Sequence, residues 1–205
     1  MNVLSYNDGD NLEKVIDSLK NGNLVVYPTD TIYGIAADIN NLSAIRKVYE
    51  TKRRSFDKAV SICFHDINQL EEYVVVNNTI KQILHDALPG PYTFLLWKKE
   101  DINPILTANT SIVGIRIPCN EVSHALTRDF PITSTSANIS DQDTPSDIFQ
   151  IQEQLGDNIE IYIDQGKLEN NQPSTIIDLT KEKPVVVRKG KCDEKLLRDI
   201  LKINL

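Results

Sequence analysis

The sequence predicts one α/β domain, spanning residues 1–205, with a mixed, twisted β-sheet and flanking helices. Short β-branched apolar runs alternate with segments whose apolar residues recur at helical spacing. The alternation runs along the chain without internal repeats, linkers or low-complexity tracts, so no second domain is expected. A chain of 205 residues with 40% hydrophobic and 25% charged content suits one large globular unit. Such a unit buries roughly 70% of its unfolded surface.

Leu12, Val15, Ile16 and Leu19 mark a first helix, with Asn11 as its cap and Gly22 as its stop. A strand follows at 24–27. Leu42, Ile45, Val48 and Tyr49 repeat the helical period, and a basic loop leads to a strand in AVSICF. Asp66 caps a helix carrying Ile67, Leu70 and Tyr73; Ile80, Ile83 and Leu84 mark another, stopped by Pro89-Gly90-Pro91. TFLLW and SIVGIRI read as strands, with a helix through Val122, Ala125 and Leu126 and a further strand at PITST. Ser146 is expected to cap a helix running to Leu155 and Gly156. IEIYID, TIIDL and PVVVR complete the strands, and a last helix starts from Asp193.

Several classes of function are disfavoured at once. No apolar run approaches the ~20 residues a membrane span needs. The first residues carry neither a basic leader nor an apolar stretch, so a cytoplasmic protein is expected. Cys63, Cys119 and Cys192 are odd in number and far apart, unlike a disulfide framework. His65, His85 and His124 form no zinc-ligand spacing, and no protein-bound metal is expected. The net charge of −7 and the lack of interleaved aromatic and basic residues count against an RNA-binding or ribosome-assembly module.

Three hydroxyl-rich runs stand beside predicted strands. VVYPTDTIYG places Thr29, Asp30 and Thr31 directly after a strand ended by Pro28. PITSTSANIS carries Thr133, Ser134, Thr135, Ser136, Asn138 and Ser140; PSTIIDL opens with Ser174 and Thr175. Buried hydroxyls need partners, so the set points to one polar pocket, while each run alone is also a self-capping turn. Between Arg46 and Lys58 six basic residues (Arg46, Lys47, Lys52, Arg53, Arg54, Lys58) face only Glu50 and Asp57. On an acidic chain this cluster fits a small anion, or else a solvated loop. Arg116 and Arg188, within or at the end of strand-like runs, call for an anionic partner, from a ligand or from the chain itself. No GxxxxGK[ST] or GxGxxG loop occurs, so phosphates would have to be held by side chains.

PTDTIYG, KRRSFDK, LPGPYTF, VGIRIP, TSAN, PSTIIDL and VVVRKG stand in an order and spacing that resemble the YrdC family over about residues 12–190. The resemblance is to its single-domain synthases; Cys63 and PYTF are features shared with its YciO branch, whose substrate would differ. It implies an open sheet with a large basic cavity. The implied reaction converts L-threonine, bicarbonate and ATP, with Mg²⁺ carried by the ATP, into threonylcarbamoyl-AMP and pyrophosphate. The product would serve modification of adenosine 37 in tRNA, with tRNA and downstream tRNA-threonylcarbamoylation proteins as further partners. Residue by residue, the resemblance implies threonine contacts at Thr31, Cys63, Arg116, Ser136 and Ser174. It implies ATP contacts at Arg54, Lys58, Ile112 (through its backbone), Asn138, Ser146 and Arg188, and makes Lys52 and Arg54 electrostatic candidates. Cys63 stands where many members carry histidine, and Asp141 where a glycine often follows the SAN-x-S run.

Overall fold

The computed structural model describes residues 2–5, 11–169 and 171–205. Seventeen helices and strands occur in them in the order β1 (Asn2–Ser5), α1 (Asn11–Lys20), β2 (Val25–Tyr27), β3 (Gly34–Ala36), α2 (Leu42–Thr51), β4 (Ser61–Cys63), α3 (Ile67–Tyr73), α4 (Asn78–Ala87), β5 (Tyr92–Trp97), β6 (Ile112–Arg116), α5 (Glu121–Leu126), β7 (Ile132–Ser136), α6 (Ile148–Leu155), β8 (Ile161–Asp164), β9 (Thr175–Asp178), β10 (Val185–Arg188) and α7 (Glu194–Ile200). The strands form a ten-stranded open sheet in the order β1-β8-β2-β3-β7-β4-β6-β5-β9-β10. Parallel pairs (β1/β8, β2/β8, β4/β6, β5/β9) mix with antiparallel ones, as the alternation of elements leads one to expect.

Period-two alternation divides the core. Val26 and Tyr162 pack in one apolar cluster with Ile35 and α6 residues Ile148, Ile151 and Leu155. Their neighbours Val25, Tyr27, Ile161 and Ile163 pack in another with Val15, Ile16 and Leu19 of α1 and Val122 and Leu126 of α5. A third cluster gathers α2, α3, α4 and α7 residues around Phe94, Val113, Ile115 and Ile177. Among the described residues no helix is long and apolar enough to cross a membrane.

Local sequence signals account for most boundaries. Asp66 caps α3 through Gln69 N–H, Asp193 caps α7, and Gly22 takes the left-handed φ of +78° that stops α1. The cap of α6 corrects the expectation for Ser146. Asp147 fills that place, its carboxylate accepting the Gln150 N–H at 3.0 Å, while the Ser146 carbonyl is taken by Leu168 N–H at 2.9 Å. Two strands lacked a sequence signal: β1, and β3, whose three residues pair antiparallel with β2. Gly34 has a specific reason to be there. A Cβ on it would approach the Tyr27 ring to 3.0 Å and the Thr135 carbonyl oxygen to 3.4 Å.

Candidate functional site

One face of the central strands is polar where neighbouring strands are apolar. The register sets Ser61 opposite Ser134, Cys63 opposite both Ile132 and Arg116, and Gly34 opposite Ser136. By alternation, Ser61, Cys63, Arg116, Ser134 and Ser136 therefore share a face. A cavity of about 280 Å³ opens on it. Its lining draws on all three hydroxyl runs, through Thr29, through Ser134, Thr135 and Ser136, and through Ser174. Arg54, Arg116 and Arg188 supply three guanidinium groups around the same space.

Arg116 lies at the end of β6, and its side chain is 7% exposed. Its Nη2 donates to Asp30 Oδ1 at 3.1 Å and to Thr31 Oγ1 at 2.9 Å. The internal acid that a buried arginine requires is thus Asp30, itself 9% exposed. Thr31 backs Arg116 rather than lining the cavity, and its hydroxyl also meets Thr29 Oγ1 at 3.0 Å. Thr29 accepts the N–H groups of Thr31 and Ile32, so this run is a self-capping turn as well as a wall of the pocket.

Ser174 immediately precedes β9, and its Oγ joins Thr93 Oγ1 at 2.8 Å. Its carbonyl accepts from Arg188 Nη2 at 2.8 Å and Nε at 3.3 Å. Burial, then repulsion from Arg116, pushes the Arg188 pKa down. The tail is held close: Lys191 Nζ donates to the Asp30 carbonyl at 2.6 Å, and a Cβ on Gly190 would lie 2.0 Å from the Pro173 carbonyl oxygen. Arg54 lines the cavity while its guanidinium ties down the basic loop, donating to the Lys58 and Ala59 carbonyls at 3.0 and 2.6 Å.

Lys52 is fully buried, unlike its neighbours in the basic run. Its ammonium donates to the Ser136 carbonyl and to Asn138, reaching its carbonyl at 2.8 Å and Oδ1 at 3.1 Å. Ser136 Oγ donates to the same Oδ1 at 2.5 Å, and Asn138 Nδ2 donates to the Ile139 and Gln142 carbonyls. Lys52 and Asn138 therefore shape the loop after β7 from within, and neither lines the cavity. Burial, then the charge of Arg54, pushes the Lys52 pKa down to about 7.

Besides Thr31 and Asn138, four more expected contacts lie outside the lining. Cys63 shares the face of Ser61 but sits two residues further on, where the apolar cluster with Tyr27, Val122 and Leu126 closes over it. It has no exposed surface, and burial raises its thiol pKa to about 12, so it is a core residue and not a wall of the cavity. Ile112 begins β6 opposite Trp97, away from the lining residues. Ser146 lines a separate open depression of about 570 Å³, which shares Thr144 with the main cavity. Lys58 is exposed and paired with Asp141. Conversely, Ser61 and Thr93 line the cavity without belonging to any of the hydroxyl runs. Each is a single small hydroxyl residue within an otherwise apolar run (AVSICF, YTFLLW), which is the signal that could have found them.

The family model designated Sua5_yciO_yrdC and described as "Telomere recombination" matches residues 17–190. A protein of Methanocaldococcus jannaschii named as a putative threonylcarbamoyl-AMP synthase is 41% identical over 182 residues, covering 87% of this chain and 86% of the relative. The crystal structure of P. abyssi Sua5 complexed with L-threonine superposes with a TM-score of 0.91 at 27% identity, over 98% of this chain. This chain spans only 60% of that protein. E. coli YciO superposes with a TM-score of 0.85 at 26% identity, over 95% of this chain and 97% of YciO.

Proposed function

From this chain's membership of the Sua5/YciO/YrdC family, we propose that it is a threonylcarbamoyl-AMP synthase, using L-threonine, bicarbonate and ATP. The observation that carries this reading is the grouping of Arg54, Arg116 and Arg188 around one hydroxyl-lined cavity. Such a site is matched to a small polyanion held beside a polar, hydroxyl-bearing molecule. In the reaction the threonine amine condenses with bicarbonate, releasing water, and the resulting carbamate oxygen attacks the α-phosphorus of ATP as pyrophosphate leaves. No protein nucleophile is needed. Catalysis is alignment, together with fixed positive charge where negative charge gathers. Arg116 takes the threonine carboxylate, with Ser136 and Ser174 toward its polar groups; Arg54, Lys58 and Arg188 take the phosphates. Mg²⁺ enters as part of the MgATP substrate. The product then passes, in the cytoplasm, to proteins that transfer the threonylcarbamoyl group to adenosine 37 of tRNA.

Pyrophosphate release from ATP is expected to require threonine and bicarbonate together. Equal turnover with either left out would refute the synthase reading. Amino-acid choice supplies a second test. Serine lacks only the methyl group of threonine, a difference of about 1–3 kcal/mol, so its kcat/KM should fall roughly 10- to 200-fold. Valine cannot satisfy a buried partner of the hydroxyl and should do worse still. Valine matching threonine would remove Ser136 and Ser174 from the amino-acid pocket.

A further inference from the structure

Two neighbouring segments, joined in the sheet by the β4/β7 pairing, wall the cavity, one through Arg54, Ala59, Val60 and Ser61, the other through Ser134, Thr135, Ser136 and Thr144. An ion pair ties them together: Lys58 Nζ lies 3.0 Å from Asp141 Oδ2 and 3.2 Å from Oδ1. Lys58 is 46% exposed and Asp141 81%, so a ligand's phosphate has access to this ammonium. Asp141 adopts a left-handed φ of +66°, unfavourable for a residue with a side chain, though aspartate tolerates it better than most. Its charge reaches a second cation too, since attraction to Asp141 opposes the burial that lowers the Arg54 pKa. Lys58 and Arg54 of the basic loop thus both already feel the carboxylate of Asp141.

We propose that Asp141 sets the affinity of the site for its nucleotide by competing with the phosphates for Lys58. The inference rests on the reading that the site takes ATP. A phosphate arriving at Lys58 exchanges one anionic partner for another, and the freed Asp141 carboxylate then stands close to the phosphate and repels it. An exposed pair of this kind is worth about 0.2–1 kcal/mol, so removing it should tighten nucleotide binding about 1.4- to 5-fold. Because the competition is between exposed charges, salt should weaken it.

The test is MgATP titration by calorimetry of the natural protein, Asp141→Asn and Asp141→Gly, at low and high salt. Both variants should bind MgATP about 1.4- to 5-fold more tightly at low salt, with the gap narrowing at high salt and threonine affinity unchanged. In a Lys58→Ala background the gain from Asp141→Asn should shrink, leaving only the part owed to direct repulsion of the phosphate. Unchanged or weaker MgATP binding in Asp141→Asn overturns the proposal, as does a gain that persists undiminished without Lys58. If the natural protein binds inorganic pyrophosphate but not MgATP, the nucleotide reading fails by itself. Pyrophosphate titration of the same variants then decides the competition by the same criteria.

Discussion

Arg116→Lys is expected to raise the KM for threonine about 10- to 100-fold, the range of one or two lost charge-assisted hydrogen bonds of about 1.5–3 kcal/mol. Lysine keeps the charge but loses the planar fork that holds Asp30 Oδ1 and Thr31 Oγ1 with one nitrogen while leaving others for a carboxylate. Arg116→Ala should do more than that. It strands the Asp30 carboxylate in a site where that side chain is only 9% exposed. Breaking a buried pair from one side costs about 3–5 kcal/mol, which urea unfolding will register alongside loss of threonine-dependent turnover. The two variants separate binding from folding. Arg116→Lys with an unchanged KM for threonine would show that the guanidinium is a purely structural partner of Asp30.

Lys52→Met is expected to abolish most turnover although Lys52 does not line the cavity. The substitution removes the donor to three oxygen acceptors of Ser136 and Asn138, and an orphaned buried acceptor costs about 1–3 kcal/mol. Methionine matches the length of the lysine and avoids burying a charge, so the protein should stay folded while the loop after β7 loses its fixed shape. The expected signature is a fall in kcat/KM of about 100-fold or more in a protein that still folds, its melting temperature lowered by about 2–4 °C for each kcal/mol lost. A pH profile adds a second reading. With a pKa of about 7 in the folded protein, the Lys52 ammonium is charged below neutrality and gives up its proton as pH rises through 7. ATP affinity should therefore decline from pH 6 to 8.5 in the natural protein, and decline less in Lys52→Arg. Parallel profiles for the two proteins would count against Lys52 as the group that orders this loop.

Much of the site was legible because it rests on short-range chemistry. Hydroxyls massed at strand ends, and arginines within or at the end of apolar strands, are costly features that call for partners, and those partners converge on one cavity. What stayed hidden depends on depth and long-range pairing. Cys63 and Ser61 share a face and differ by two residues, yet the helices α1 and α5 cover one and leave the other at the cavity. Lys52 sits in a basic run that reads as solvated, and nothing local foretells that its ammonium is enclosed by carbonyls from a segment more than eighty residues away. Ser146 and Asp147 are neighbouring residues with equal capping ability, so their order could be settled only by the path of the chain.

The bond from Lys191 to the Asp30 carbonyl joins residues 161 positions apart. The loop that holds Arg116 in place is therefore braced by a part of the chain made long after it. Until Arg188 and Lys191 emerge, Ser174 and Asp30 lack their braces, whatever the earlier strands have achieved. Closing a loop of that length is among the slower steps in forming such a sheet. Ligand affinity then arises only after Lys191 has been made, later than the strands that carry Arg116 and Ser136.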